Sequence, residues 1–254
     1  MIEVLAQVEF PPIDNIVNWE PYFGEDQFFQ FDKVSLIMLL AVLIPAGLFM
    51  GAKKSMIPSG LQTVTEGSVN FINGIVDQTI GHDGKKYLPL LMSMFWFIFI
   101  GNITEVIPSF QMPVNARMGA PVVLALLVFF FSIGVGLKHH GLTYFKNTLI
   151  VPGLPPALHL LVVPIEFLSN FFIKPFSHAV RLFANMLAGH ILLVTFGVLC
   201  IALFSPSLLA LALPFSFAML VGLTGFEIMV AFLQAYIFTL LAGVYIGSAL
   251  HPDH

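Results

Sequence analysis

The chain has 254 residues, 58% hydrophobic and only 9% charged, with a formal net charge of −4. That composition excludes an ordinary soluble domain, in which about a quarter of residues are charged, and points to an integral membrane protein. Its single cysteine, Cys200, lies in an apolar run and excludes both a disulfide framework and a thiolate metal cluster.

Residues 1–32 hold seven of the fourteen acids (Glu3, Glu9, Asp14, Glu20, Glu25, Asp26 and Asp32) among aromatics and prolines with no clear period. They read as a solvated, extracytoplasmic arm. A conventional signal peptide would start with basic residues and an apolar core. Residues 33–254 read as one membrane domain. Its first span covers about 34–50, with Pro45 near its end and Lys53 and Lys54 just beyond. In 58–80, Leu61, Val64, Ser68, Phe71, Ile72, Ile75, Val76 and Ile80 recur at three- and four-residue spacing, while Gln62, Glu66, Asn70, Asn73 and Asp77 fill the other face. This pattern predicts an amphipathic helix lying on the membrane surface.

A second span, about 87–107, carries Asn102, Thr104 and Glu105 toward its far end and closes at Pro108. A linker with Arg117 leads to a third span, about 118–137, which ends in Lys138-His139-His140. Two long apolar stretches follow, about 156–204 and 208–250. Helical throughout, the first would be ~70 Å long against ~30 Å of hydrocarbon. It either breaks at Pro164 and Pro175 or lies strongly tilted and kinked there. Threaded this way, Lys53, Lys54, Lys85, Lys86, Lys138 and Lys146 fall on one side, and Lys33 and Arg117 on the other. The lysine-rich side is expected to be cytoplasmic, placing the N-terminus outside and the C-terminus inside.

Within the long stretches the polar residues form seams. Between Ala157 and Phe204 the formally charged residues are Glu166, Lys174 and Arg181, and a charge at mid-membrane costs roughly 2.5–3.5 kcal/mol on insertion scales. At ~100° per residue, Lys174, Arg181 and Asn185 share a stripe and His190 points to the opposite side. Glu227, Gln234 and Tyr245 form a second stripe on the last helix. Arginine keeps its proton, so Arg181 is a fixed charge. His190 and Glu227 can titrate in the working range and are the relay candidates. Neither H-E-x-x-H nor C-x-x-C occurs, and a Gly-rich phosphate loop and a nucleophile elbow are also missing from the sequence. No metal, cofactor or nucleic-acid partner is therefore expected, nor nucleotide chemistry.

Ser177-His-Ala-Val-Arg-Leu-Phe-Ala-Asn-Met186 with Ala188-Gly-His190 resembles the signature of the subunit a family of F-type ATP synthases. Leu223-Thr-Gly-Phe-Glu227 with Gln234-Ala-Tyr-Ile-Phe238 resembles its last helix, and Tyr87-Leu-Pro-Leu-Leu with Asn102-Ile-Thr-Glu-Val-Ile-Pro108 its second span. The resemblance implies an all-α membrane protein: one transmembrane helix, a surface helix, a transmembrane hairpin and two long tilted helices facing a ring of c subunits. It also implies a non-catalytic stator, partnered by the c-ring, the peripheral-stalk b subunit or subunits, the rest of the synthase and the bilayer. Arg181 matches the family's arginine opposite the c-ring carboxylate, with Asn185 and Gln234 as polar neighbours. His190 and Glu227 match a histidine–carboxylate pair, here in histidine-first order, and Asn102 and Glu105 match residues near the outer entry path. Glu166 matches an acid bordering the cytoplasmic exit. The implied activity is proton translocation in a bacterial plasma membrane, with sodium translocation within the same family as an alternative. A secondary transporter would show inverted repeats, and none pairs the two halves.

Overall fold

The computed structural model describes residues 31–52, 60–107, 110, 112, 114–150, 155–204 and 208–251. Most of the acidic arm, Lys53, Lys54 and Pro108 lie outside the described residues. The order is α1 (Lys33–Gly51), α2 (Leu61–Thr79), a 3-10 turn (His82–Tyr87), α3 (Leu88–Ile103), a 3-10 turn (Val114–Ala116), α4 (Gly119–His140), α5 (Thr143–Leu149), α6 (Pro156–Leu168), a π turn (Ser169–Ile173), α7 (Lys174–Leu203), a 3-10 turn (Leu208–Ala212) and α8 (Leu213–Leu250). Among the described residues five segments are long and apolar enough to cross a membrane: Lys33–Gly51, His82–Ile103, Gly119–His140, Leu158–Leu203 and Ala210–Leu250. The protein is thus an all-α integral membrane protein. A helix satisfies its backbone hydrogen bonds internally, which hydrocarbon requires.

The prolines do not break the first long stretch. Pro164 sits inside α6 and Pro175 in the first turn of α7, with the π turn between them. Pro175 lacks an N–H and its ring crowds the carbonyl four residues back. The chain widens there: the Lys174 N–H bonds the Ser169 carbonyl, five residues away, and the helix continues.

The core forms where α8 packs along α3, α7 and α4. Leu91, Ile98, Leu182, Ala235, Phe238 and Ile246 are its buried members, joined by Ile72, Ile75 and Val76 of α2. The α2 apolar face is split, because Leu61 and Val64 stay 53% and 48% exposed while the isoleucines pack inward. The helix expected on the membrane surface is therefore also seated on the protein. Its seat is glycine: side chains at Gly243 or Gly247 of α8 would run into Thr79 at the end of α2.

The two ends of the bundle are fastened differently. At one end Asp32 caps α1, accepting from the Ser35 N–H and hydroxyl at 2.9 Å each, and pairs with Arg117. Burial opposes ionisation of Asp32, but those bonds and the guanidinium outweigh it and hold the carboxyl below its ordinary range. At the other end His140 Nε2 lies 2.9 Å from the Leu250 carbonyl, so the last turns of α4 and α8 meet beside Lys138.

Candidate functional site

The seams on α7 and α8 lie on neighbouring helices, and Arg181 stands at their middle. It is exposed, as are Ala184, Asn185 and Ala188, which follow it at helical spacing on the same face. Among the described residues no side chain accepts a hydrogen bond from the guanidinium or forms an ion pair with it. The Arg181 backbone is engaged, its carbonyl accepting from Gln234 Nε2 at 3.5 Å. Gln234 itself is 4% exposed. Lys174, placed on the same stripe by helical spacing, is engaged one turn back along its own helix, where its ammonium donates to Asn170 Oδ1.

About 10–14 Å along the bundle from Arg181, three titratable groups meet. Glu105 follows the end of α3, His190 lies on α7 and Glu227 on α8, and they are 4%, 5% and 4% exposed. His190 Nδ1 stands 3.4 Å from Glu105 Oε1, an ion-pair distance without hydrogen-bond alignment, since Glu105 Oε1 has no hydrogen-bond partner among the described residues. The Glu227 carboxyl lies over Gly189, whose bare backbone leaves the space it occupies. Its Oε2 is likewise unpartnered. Two carboxyls and an imidazole in one buried site can hold and pass a shared proton. The family resemblance pairs His190 with Glu227; the structure also brings Glu105 up to the imidazole. Asn102 lies one turn before Glu105, and its Oδ1 accepts from Asn115 Nδ2 at 2.6 Å.

Toward the opposite end a cavity of about 310 Å³ opens between α4, α5, α6, the π turn, α7 and α8, lined by Ser132, Tyr144, Glu166, Asn170, Lys174 and Tyr245 among others. Asn170 Nδ2 donates to Glu166 Oε2 at 2.9 Å, so with the Lys174 bond the polar groups form a chain along one helix face. Burial pushes the Tyr144 phenol above its ordinary value. Tyr245, on the same stripe as Glu227 and Gln234, belongs to this end: its ring is 5.6 Å from that of His178. The His178 ring lies against that of Phe238, with centroids 3.8 Å apart and planes tilted by 35°.

Sequence reasoning missed Asn115, His178 and Asn170, and spacing had no way to find the first two. Asn115 rides on a three-residue turn with no period, and His178 is marked only by being a histidine one turn before Arg181. The Asn170 signal was present, with an acid four residues before it and a lysine four after.

A family described as ATP synthase A chain matches residues 34–247. The chain is 40% identical over 239 residues to ATP synthase subunit a of Rhodococcus erythropolis, covering 89% of this chain and 84% of the relative. It is 42% identical over 234 residues to that of Rhodopseudomonas palustris (strain BisB5), with 88% and 90% covered. It is 41% identical over 247 residues to that of Bradyrhizobium diazoefficiens, with 93% and 96% covered.

Proposed function

Because the chain belongs to the ATP synthase A chain family, we propose that it is the stator through which protons reach and leave the carboxylates of a rotating c-ring. As a family member it is a multi-pass membrane subunit of the F-type ATP synthase, in the bacterial cell membrane. The observation that carries the finer reading is Arg181: a permanent charge, exposed in mid-span, with no acid paired to it among the described residues. Such a charge needs a carboxylate from outside the chain. The small residues Ala184 and Ala188 on the same face allow a partner helix to come close.

The two polar regions then serve as separate aqueous paths. Protons enter along Asn102, Glu105, His190 and Glu227 and neutralise a rotor carboxylate, which can then turn through lipid. On its return the carboxylate meets Arg181, whose charge favours the ionised form, and the proton leaves past Tyr245, Lys174 and Glu166. Arg181 cannot carry a proton between the paths, and Asn185 and Gln234 hold its surroundings polar. Each charge falling through ~100 mV releases ~2.3 kcal/mol, enough over several steps to drive rotation while other subunits, this one being non-catalytic, make ATP. An imidazole within the entry path favours protons over sodium as the coupling ion. The lysine-rich end, with Lys85, Lys86, Lys138 and Lys146, faces the cytoplasm, the acidic arm lies outside, and the peripheral-stalk b subunits hold the stator still.

The test is ATP-driven proton pumping in inverted vesicles with Arg181→Ala, after verifying assembly with the c-ring. Loss of pumping supports the reading. Pumping at the unaltered rate overturns it.

A further inference from the structure

Asn115 lies in the connection between α3 and α4, on the turn Val114–Ala116, and is fully buried. Among the described residues its one side-chain partner is Asn102, 1% exposed, at 2.6 Å. One hydrogen bond uses one group of each amide. Whichever way the two amides are oriented, one NH2 and one oxygen are left over. Asn102 Nδ2 and Asn115 Oδ1 are those groups, and neither has a partner among the described residues. Glu105 stands one turn beyond Asn102 with its own Oε1 unpartnered toward His190. Unpaired buried donors and acceptors are rare where a side chain serves packing alone.

The turn is held from both sides. Val114 and Met112 pack with Val34 and Ile37 of α1, and two residues after Asn115 the Arg117 guanidinium pairs with Asp32, the cap of α1. α7, which carries His190, lies against the same turn. The loop therefore presents Asn115 in one fixed place at the outer edge of the Glu105–His190–Glu227 site.

Resting on the proton-translocation reading above, we propose that Asn115 is a positioning residue of the outer proton path: paired with Asn102, it offers a neutral donor and acceptor that order the approach to Glu105. An amide does not titrate at working pH, so it aligns hydrogen bonds without holding the proton and adds no charge beside the Glu105 and Glu227 carboxyls. The latch to Asp32 keeps the pair together.

The experiment uses the whole synthase in oriented vesicles, with passive proton flux measured as outer and inner pH are varied separately. Asn115→Leu, close in size but without polar groups, is expected to lower flux by about tenfold or more and to alter its dependence on outer pH while leaving the inner-pH dependence intact. Asn115→Gln is expected to restore part of the flux, and Asn102→Leu/Asn115→Leu to be no worse than Asn102→Leu alone. Unchanged flux in Asn115→Leu overturns the proposal, as does an equal loss with both pH profiles unshifted, the mark of a structural role. If Asn115→Leu does not assemble, Asn115→Ser is judged on the same readouts. Arg181→Ala in parallel separates the two claims: normal coupling there defeats the function reading, whereas loss of coupling there with a normal Asn115→Leu defeats only this inference.

Discussion

Gly189 is where the packing of α7 on α8 and the chemistry of the site meet, and Gly189→Ala perturbs both. A Cβ there would lie inside the van der Waals radii of the Glu227 carboxyl carbon and both its oxygens, far closer than the ~3.5–4.0 Å at which carbon contacts are comfortable. Glu227 is 4% exposed and cannot swing into water, so its carboxyl must shift within the site. Overpacking of this kind costs roughly 1–3 kcal/mol, and replacing a helical glycine by alanine returns about 0.5–1 kcal/mol. The net of about 0–2.5 kcal/mol leaves the subunit able to assemble. Displacing a relay group by ~1 Å can slow transfer by up to about 100-fold. ATP-driven proton pumping in vesicles is therefore expected to fall at least several-fold with normal amounts of assembled enzyme. Glu227→Asp, one methylene shorter, should partly restore it in the double variant. Wild-type pumping by Gly189→Ala would refute the reasoning, and so would a double variant no better than Gly189→Ala alone.

Other outcomes follow from the same geometry. Gly247→Ala directs its methyl at the Thr79 backbone carbonyl, whereas Gly243→Ala meets the Thr79 side chain. Gly247→Ala should be the more destabilising, by about 1–3 kcal/mol, read as earlier thermal inactivation in detergent. Asp32 has a folded-state carboxyl held below its unfolded value, so its contribution is present above the unfolded value and is lost as pH falls through the lower folded one. Asp32→Asn should remove that acid-side fall in stability, below about pH 4, while keeping a serviceable helix cap. An unchanged acid-side profile in thermal melts would contradict it.

The spans were legible because each needs an apolar run long enough for hydrocarbon, and the described residues carry five such runs. Arg181 was legible for the complementary reason: a charge within such a run stands out. What spacing along one helix leaves undetermined is the partner across helices. His190, pointing away from Arg181, is resolved only by the way α3 brings Glu105 up to it at 3.4 Å. Tyr245 shares a stripe with Glu227, yet eighteen residues of rise separate them by ~27 Å, so the two serve opposite ends. The prolines suggested a break or a kink, and the π turn absorbs them inside a continuous helix. Its one-residue widening has no sequence period by which to be recognised. Asn115 is hidden for the same reason, carried on a turn fixed by contacts with α1 and α7.

The most direct test of the central claim, that Arg181 keeps two proton paths apart while facing a rotor carboxylate, is made in energised vesicles without nucleotide. Passive proton flow and ATP synthesis are measured side by side in assembled Arg181→Ala enzyme. The account predicts that synthesis is lost while protons still cross down their gradient, because the barrier between the paths is gone. Synthesis in normal proportion to proton flow would contradict it.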